Sequence, residues 1–100
     1  MAVLQPEYTI LVVDDSPENI ALLCHVLESS YAVRIATSGE RALRIVFDDD
    51  PPDLILLDVM MPGIDGLEVC RRIKSNPDRR GIPILFVTSL GEMEDEALGL

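Results

Sequence analysis

Four short runs of mostly apolar residues, each followed by a helix-like segment, constrain the fold more than any other feature of the sequence. The runs lie at residues 10–13, 32–36, 54–57 and 84–87. Three of them are apolar at every position, which is typical of strands buried on both faces of a parallel sheet. The alternation therefore predicts an α/β fold, with right-handed crossovers that place helices on both faces of the sheet.

Polar residues mark where the predicted helices begin. Ser16 precedes Pro17, which gives an N-cap residue followed by the residue best suited to the first helical position. The next three helices open on capping-box pairs, in which a short polar residue precedes a glutamate by three positions: Thr37 and Glu40, Asp65 and Glu68, Ser89 and Glu92. The sequence thus predicts four strand-then-helix units.

Length and composition limit the classes of function. With 100 residues, 48% of them hydrophobic, the chain has material for one core, so we treat residues 1–100 as one domain. No run approaches the ~18 apolar residues of a membrane helix, and the start does not resemble a secretion signal, so we expect a cytoplasmic protein. A formal charge of −10 argues against direct binding of nucleic acid. Cys24 and Cys70 match no metal or disulfide pattern and are predicted to be small buried hydrophobes.

Acidic residues follow two of the predicted strands. Asp14 and Asp15 come after the first strand, and Asp58 comes after the third. Ligands of open parallel sheets bind outside the carboxyl ends of the strands, so these side chains should meet in one crevice. An aspartate pair before a helix is by itself most often a helix cap, but three carboxylates together repel each other unless a cation neutralises them.

Magnesium is the cation that such a crevice favours, because it prefers oxygen ligands and keeps room for a phosphate oxygen. We expect Asp15 and Asp58 to be direct ligands and Asp14 to act through water. A carboxylate held beside Mg²⁺ can attack a phosphoryl group, since the metal offsets the charge of the phosphate. The pattern therefore predicts an aspartyl phosphate, and Asp58 suits the nucleophile because it follows the central apolar strand.

Three segments then resemble a known family. They are VVDDS at residues 12–16, LLDVMMPGIDG at 56–66 and PILFVTS at 83–89, and they look like the signature regions of chemotaxis-regulator-like receiver domains of two-component response regulators. The resemblance implies a flavodoxin-like, doubly wound parallel sheet with strand order 2-1-3-4. It also implies that Asp58 accepts the phosphoryl group, and that Mg²⁺ is held by Asp14, Asp15, Asp58 and the backbone carbonyl of Met60. Thr88 would be the switch hydroxyl, and Ser89 would line the site.

The same resemblance implies partners. A sensor histidine kinase or phosphotransfer protein would donate the phosphoryl group, and an output domain or effector would receive the signal. Such a domain is not an enzyme, because it acts only on its own phosphoryl group.

The chain ends before the fifth strand and helix of this family, which carry a lysine and usually an aromatic switch residue. Lys74, its only lysine, lies on the third predicted helix and does not replace that lysine. The strand at 84–87 would then be an unprotected sheet edge, through which we expect copies of the chain to form homo-oligomers.

Three other functions remain open. A Mg²⁺-dependent phosphatase with an aspartyl nucleophile should carry an acid two residues after that nucleophile, where this chain has Met60. A flavodoxin-like cofactor binder should have a first loop rich in Gly, Ser and Thr, where this chain has two aspartates. A receiver-like docking module that is never phosphorylated fits the missing lysine, but it does not explain the three acids.

Overall fold

The computed structural model of the protein describes residues 7–87, in which four parallel strands alternate with three helices. With the strands numbered along the chain, their order in the sheet is 2-1-3-4, as predicted. The elements are β1 (Thr9–Val13), α1 (Pro17–Leu27), β2 (Ala32–Ala36), α2 (Gly39–Val46), β3 (Leu54–Asp58), α3 (Gly66–Lys74) and β4 (Ile84–Val87). The predicted fourth helix lies outside the described residues.

The register of the sheet brings the carboxyl ends of the strands to one level. Val13 of β1 lies opposite Ala36 of β2 and Leu57 of β3, and Asp58 of β3 lies opposite Val87 of β4. Residues that directly follow Val13 and Leu57 therefore emerge side by side at the same edge of the sheet.

The main core lies between the sheet and helices α2 and α3. Its sheet side is formed by Leu11, Val13, Ile55 and Leu57, each at most 1% exposed. Its helix side includes Ala42, Val46, Val69 and Ile73, all of them 0% exposed. Full burial of such an aliphatic side chain stabilises the fold by about 1.5 to 3 kcal/mol, so this face anchors β1 and β3.

Helix α1 covers the other face of the sheet less completely. None of its residues is buried, and Leu22 and Val26 are 48% and 63% exposed. Cys24 on this helix and Cys70 on α3 are free but only half-buried, so the prediction that both cysteines are buried was wrong. Apolar residues cover most of the circumference of α1, so the sequence pattern did not show which of them face the sheet.

The N-caps of α1 and α3 are those predicted. The side-chain oxygen of Ser16 accepts a hydrogen bond from the Asn19 N–H, and that of Asp65 accepts one from the Glu68 N–H. For α2 the prediction was wrong by one residue, because Ser38 rather than Thr37 is the N-cap and accepts from the Arg41 N–H.

The start of α2 makes a close contact at Gly39. A Cβ atom at this position would lie 2.6 Å from the Ile64 carbonyl oxygen and 2.9 Å from a Val69 methyl group. Only glycine permits this approach of α2 to α3 and the loop before it. Gly39 is the first residue of α2, directly after the cap Ser38, so the helix meets α3 and its preceding loop at its first turn.

Arg79 joins the loop between α3 and β4 to the carboxyl end of α2. Its Nε donates to the Val46 carbonyl at 2.7 Å, and one Nη donates to the Asp48 carbonyl at 3.1 Å. Carbonyls at the end of a helix have no partner within the helix, so a guanidinium there satisfies them and favours the helix dipole. Lys74 secures the same loop by donating to the carbonyls of Arg80 and Ile82.

We expect Arg79→Met to lower the free energy of unfolding by about 1 to 2 kcal/mol, because two charge-assisted hydrogen bonds are lost. Urea denaturation followed by circular dichroism measures this change. Arg80→Met is the matched control, since Arg80 is exposed, and its effect should stay within about 0.5 kcal/mol. Equal losses in both variants would contradict this account of the loop.

Candidate functional site

Asp14 follows β1 directly and is fixed by its neighbours. Its backbone N–H donates to the Ala36 carbonyl of β2 at 3.1 Å, which continues the ladder of the sheet by one residue. Its side chain is 2% exposed and accepts hydrogen bonds from the Ser16 N–H at 2.8 Å and from Asn19 Nδ2 at 3.2 Å. Both carboxylate oxygens therefore have a donor from the start of α1, which sets the orientation of the side chain.

Asp58 is the last residue of β3 and is 5% exposed. One of its carboxylate oxygens accepts a hydrogen bond from the Met60 N–H at 3.2 Å. The Gly66 N–H donates to the Val59 carbonyl at 3.0 Å, so the loop after β3 returns to the strand end before α3 begins.

Glycine makes this loop possible at two positions. Gly63 has φ +75°, in the left-handed region that glycine occupies without strain. A Cβ at Gly66 would overlap the carbonyl oxygen of Asp58 and lie 2.9 Å from Val59 Cα. The start of α3 thus packs directly on the backbone of Asp58 and fixes the residue from behind.

The structure brings together three of the residues predicted from the sequence. Asp14, Asp15 and Asp58 each offer a carboxylate oxygen, and these oxygens lie within 4.8 Å of one another. Asp14 and Asp58 are buried, whereas Asp15 is exposed and leaves the cluster open to solvent on one side. Three like charges at this spacing call for a compensating cation, and a set of hard oxygen donors suits Mg²⁺ or a similar divalent ion.

The sequence that forms this site matches a known protein family. The family described as the response regulator receiver domain matches residues 10–99, which is nearly the whole chain. The chain is a response regulator receiver domain.

Known proteins agree with this assignment. The receiver domain is 47% identical over 91 residues to a Vibrio cholerae protein named a probable cyclic di-GMP phosphodiesterase, covering 91% of this chain and 20% of that protein. A solved receiver protein N-terminal domain from Methanoculleus marisnigri is 42% identical with a TM-score of 0.77, over 91% of this chain and 77% of that one. The Mn²⁺-bound response regulator Rcp1 is 33% identical with a TM-score of 0.76, over 88% and 70% of the two chains.

The receiver domain spans only part of its curated relatives. It covers a fifth of the Vibrio protein and 37% of a Bacillus subtilis transcriptional regulatory protein that is 45% identical to it. The activities named for those proteins thus belong to much longer chains. Within residues 7–87, no helix of the receiver domain is long and apolar enough to cross a membrane.

Three predicted site residues are not assigned a role by the structure. Thr88 and Ser89 lie outside the described residues. Met60 lies beside the site, with its N–H on Asp58 and its side chain 63% exposed, but the role of its carbonyl as a metal ligand stays a prediction.

Sequence reasoning missed two residues that shape the site. Asn19 orients Asp14 from the first turn of α1, and Gly66 supports the backbone of Asp58. A signal for Asn19 was present, because a polar amide in the first turn of a helix can reach back to the loop before it. For Gly66 the only signal was its place directly after an N-cap aspartate, which does not indicate a close contact.

Proposed function

We propose that this receiver domain accepts a phosphoryl group on Asp58 and transmits that change to an output domain or effector. The observation that carries the proposal is the cluster of three carboxylates, in which Asp58 is buried, supported from behind by Gly66 and held next to Asp14 and Asp15. A buried carboxylate with a fixed orientation favours in-line attack on a phosphorus atom.

The proposed donor is a phosphohistidine on a sensor histidine kinase or phosphotransfer protein. A carboxylate oxygen of Asp58 attacks the phosphorus, a P–O bond forms and the P–N bond of the phosphohistidine breaks. The histidine leaves with the electron pair of that bond and takes up a proton. Hydrolysis of the acyl phosphate later returns Asp58 and inorganic phosphate, so the domain catalyses only the transfer to its own aspartate and the removal of that phosphoryl group.

The proposed metal is Mg²⁺, held by Asp14, Asp15, Asp58 and the backbone carbonyl of Met60. The donor set supports this proposal, because three carboxylate oxygens lie within 4.8 Å of one another, and because the relative Rcp1 was solved with Mn²⁺ bound. A bound Mg²⁺ would offset the negative charge of the incoming phosphoryl group. We further propose that the hydroxyl of Thr88 binds a phosphoryl oxygen after transfer and that Ser89 lines the site.

Replacing one metal ligand tests this assignment. We expect Asp15→Asn to weaken Mg²⁺ binding by about tenfold or more, because a charged ligand is lost, as isothermal titration calorimetry would measure. Asp15 is exposed, so the variant should fold. Asp50→Asn makes the same charge change on an exposed loop and should leave the affinity within about twofold. Equal affinity in the wild type and the Asp15 variant would remove this residue from the metal site.

Beyond the site, we propose that the domain acts in the cytoplasm. We also propose that it makes no direct contact with nucleic acid, since its charge is −10.

We also propose that copies associate through β4, which lies at one edge of the described sheet and leaves Leu85 and Phe86 55% and 44% exposed. Like charges oppose this association but are screened by salt, so sedimentation should show more oligomer at the higher of two ionic strengths. A monomer at high protein concentration in both buffers would contradict it.

A further inference from the structure

The basic residues of this acidic chain are concentrated on α3 and the loop after it. Residues 66–82 hold five of the eight Lys and Arg residues of the chain and only two acids, whereas the chain as a whole carries a charge of −10. The five are Arg71, Arg72, Lys74, Arg79 and Arg80. This region is therefore positively charged on an otherwise negative molecule.

An apolar groove lies at the amino-terminal end of the same helix. It has a volume of about 430 Å³ and is lined by Val59, Met60, Met61, Pro62, Asp65 and Leu67. Of these residues, Met60 and Leu67 are 63% and 58% exposed. Two large apolar side chains that flank an open groove are typical of a contact surface for another protein.

The groove and the positive charges lie in line along α3. Leu67, Arg71 and Lys74 are spaced by four and three residues, so they share one face of the helix, opposite the buried Val69 and Ile73. At 1.5 Å per residue, the two cations follow Leu67 at about 6 and 10 Å along the axis. We call this face, from Met60 through Leu67 and Arg71 to Lys74, the α3 strip.

Glu68 does not cancel the charge of the strip. It accepts hydrogen bonds from both Arg71 and Arg72, and these bonds lower the pKa of its carboxyl to about 2. The three side chains together therefore keep one net positive charge at neutral pH. The Arg71 side chain remains 66% exposed and can still donate hydrogen bonds to a second carboxylate.

We propose that the α3 strip binds an amphipathic helix of a partner protein, with apolar side chains in the groove and carboxylates on Arg71 and Lys74. The Lys74 ammonium group has three N–H donors, so one is left beside the two that bind the Arg80 and Ile82 carbonyls. A helix fits because its rise per residue equals that of α3, so acids about four and seven residues from its apolar anchor meet the two cations. A nucleic acid duplex fits poorly, because the chain as a whole carries a formal charge of −10, which repels the phosphate backbone. The proposal does not depend on phosphorylation.

A synthetic helix tests the proposal on the whole chain without phosphodonor. The probe is a fluorescein-labelled, alanine-based peptide of about 15 residues, with two leucines one turn apart and glutamates one and two turns beyond them. Fluorescence anisotropy should show saturable binding to the wild type. We expect Leu67→Ser and Arg71→Glu each to weaken binding by about tenfold or more, because one removes the anchor contact and the other reverses a charge.

Matched controls carry the same changes elsewhere on the surface. Leu22→Ser on α1 and Arg41→Glu on α2 alter exposed residues of the same types and should leave the affinity within about twofold. A peptide with lysines in place of the glutamates should bind Arg71→Glu better than the wild type. Thermal unfolding of all four variants checks that they are folded.

Several outcomes would overturn the proposal. These are no saturable binding of the peptide to the wild type, equal losses in the control variants, or tighter binding of a duplex DNA of similar length. Amide chemical-shift changes centred on α1 rather than on Met60, Leu67 and Arg71 would place the contact on a different surface and would also contradict it. A further contradicting result is self-association of the chain that Leu67→Ser abolishes and that the peptide does not inhibit.

Discussion

Asp58→Asn is expected to reduce phosphoryl labelling of the domain to background, a loss of about a hundredfold or more. The amide has no anionic oxygen to attack phosphorus. Its carbonyl oxygen can still accept the hydrogen bond from the Met60 N–H, which in the wild type lies 3.2 Å from the carboxylate oxygen. The measurement is incorporation of one phosphoryl group from acetyl phosphate in the presence of Mg²⁺, followed by intact-mass spectrometry.

The Asp58→Asn variant should remain folded. Asp58 is buried beside two other carboxylates, so removal of its charge relieves repulsion, and the midpoint of thermal unfolding should not fall. Asp50→Asn is again the control with the same change in charge, and it should be labelled like the wild type. Labelling of the Asp58 variant at the wild-type rate would show that another residue accepts the phosphoryl group.

Gly66→Ala is expected to lower the free energy of unfolding by about 1 to 3 kcal/mol and to impair labelling of Asp58. The added Cβ would overlap the Asp58 carbonyl oxygen and lie 2.9 Å from the Asp58 carbonyl carbon and from Val59 Cα. All three are backbone atoms, which cannot rotate away as a side chain would. The loop after β3 must then shift, and the carboxylate of Asp58 shifts with it.

Gly81→Ala is the matched control for this prediction. A Cβ at Gly81 would meet nothing within 4 Å, so the same change should alter the free energy of unfolding by no more than about 0.5 kcal/mol. Urea denaturation compares the two variants, and phosphoryl labelling follows the site. Similar stability and labelling in both would show that the close approach at Gly66 is not needed.

Much of the fold could be predicted because a buried parallel strand appears in the sequence as a short apolar run, which can be recognised without knowing any contact between distant segments. The carboxyl ends of neighbouring parallel strands meet by geometry, so Asp14, Asp15 and Asp58 could be placed in one crevice before any coordinates. The caps Ser16 and Asp65 followed from the same local logic, because a cap satisfies the N–H groups that directly follow it.

Features that depend on contacts between distant segments could not be predicted. Thr37 and Ser38 are both of residue types that cap helices, so local preference does not choose between them, and no local pattern marks the close approach of Gly39 to Ile64. The hydrogen bond from Arg79 to the Val46 carbonyl joins residues 33 positions apart, and no local pattern marks it. The exposure of Leu22 and Val26 could not be predicted either, since a helix that is apolar over most of its circumference does not show which side packs.

Metal-dependent phosphorylation of Asp58 is tested most directly by mapping the phosphoryl group in the wild-type domain after incubation with acetyl phosphate, once with Mg²⁺ and once with excess chelator. We expect one phosphoryl group in the presence of Mg²⁺, on Asp58, and none in chelator. A phosphoryl group on Asp14, Asp15 or any other residue, or equal labelling of Asp58 in chelator, would contradict it.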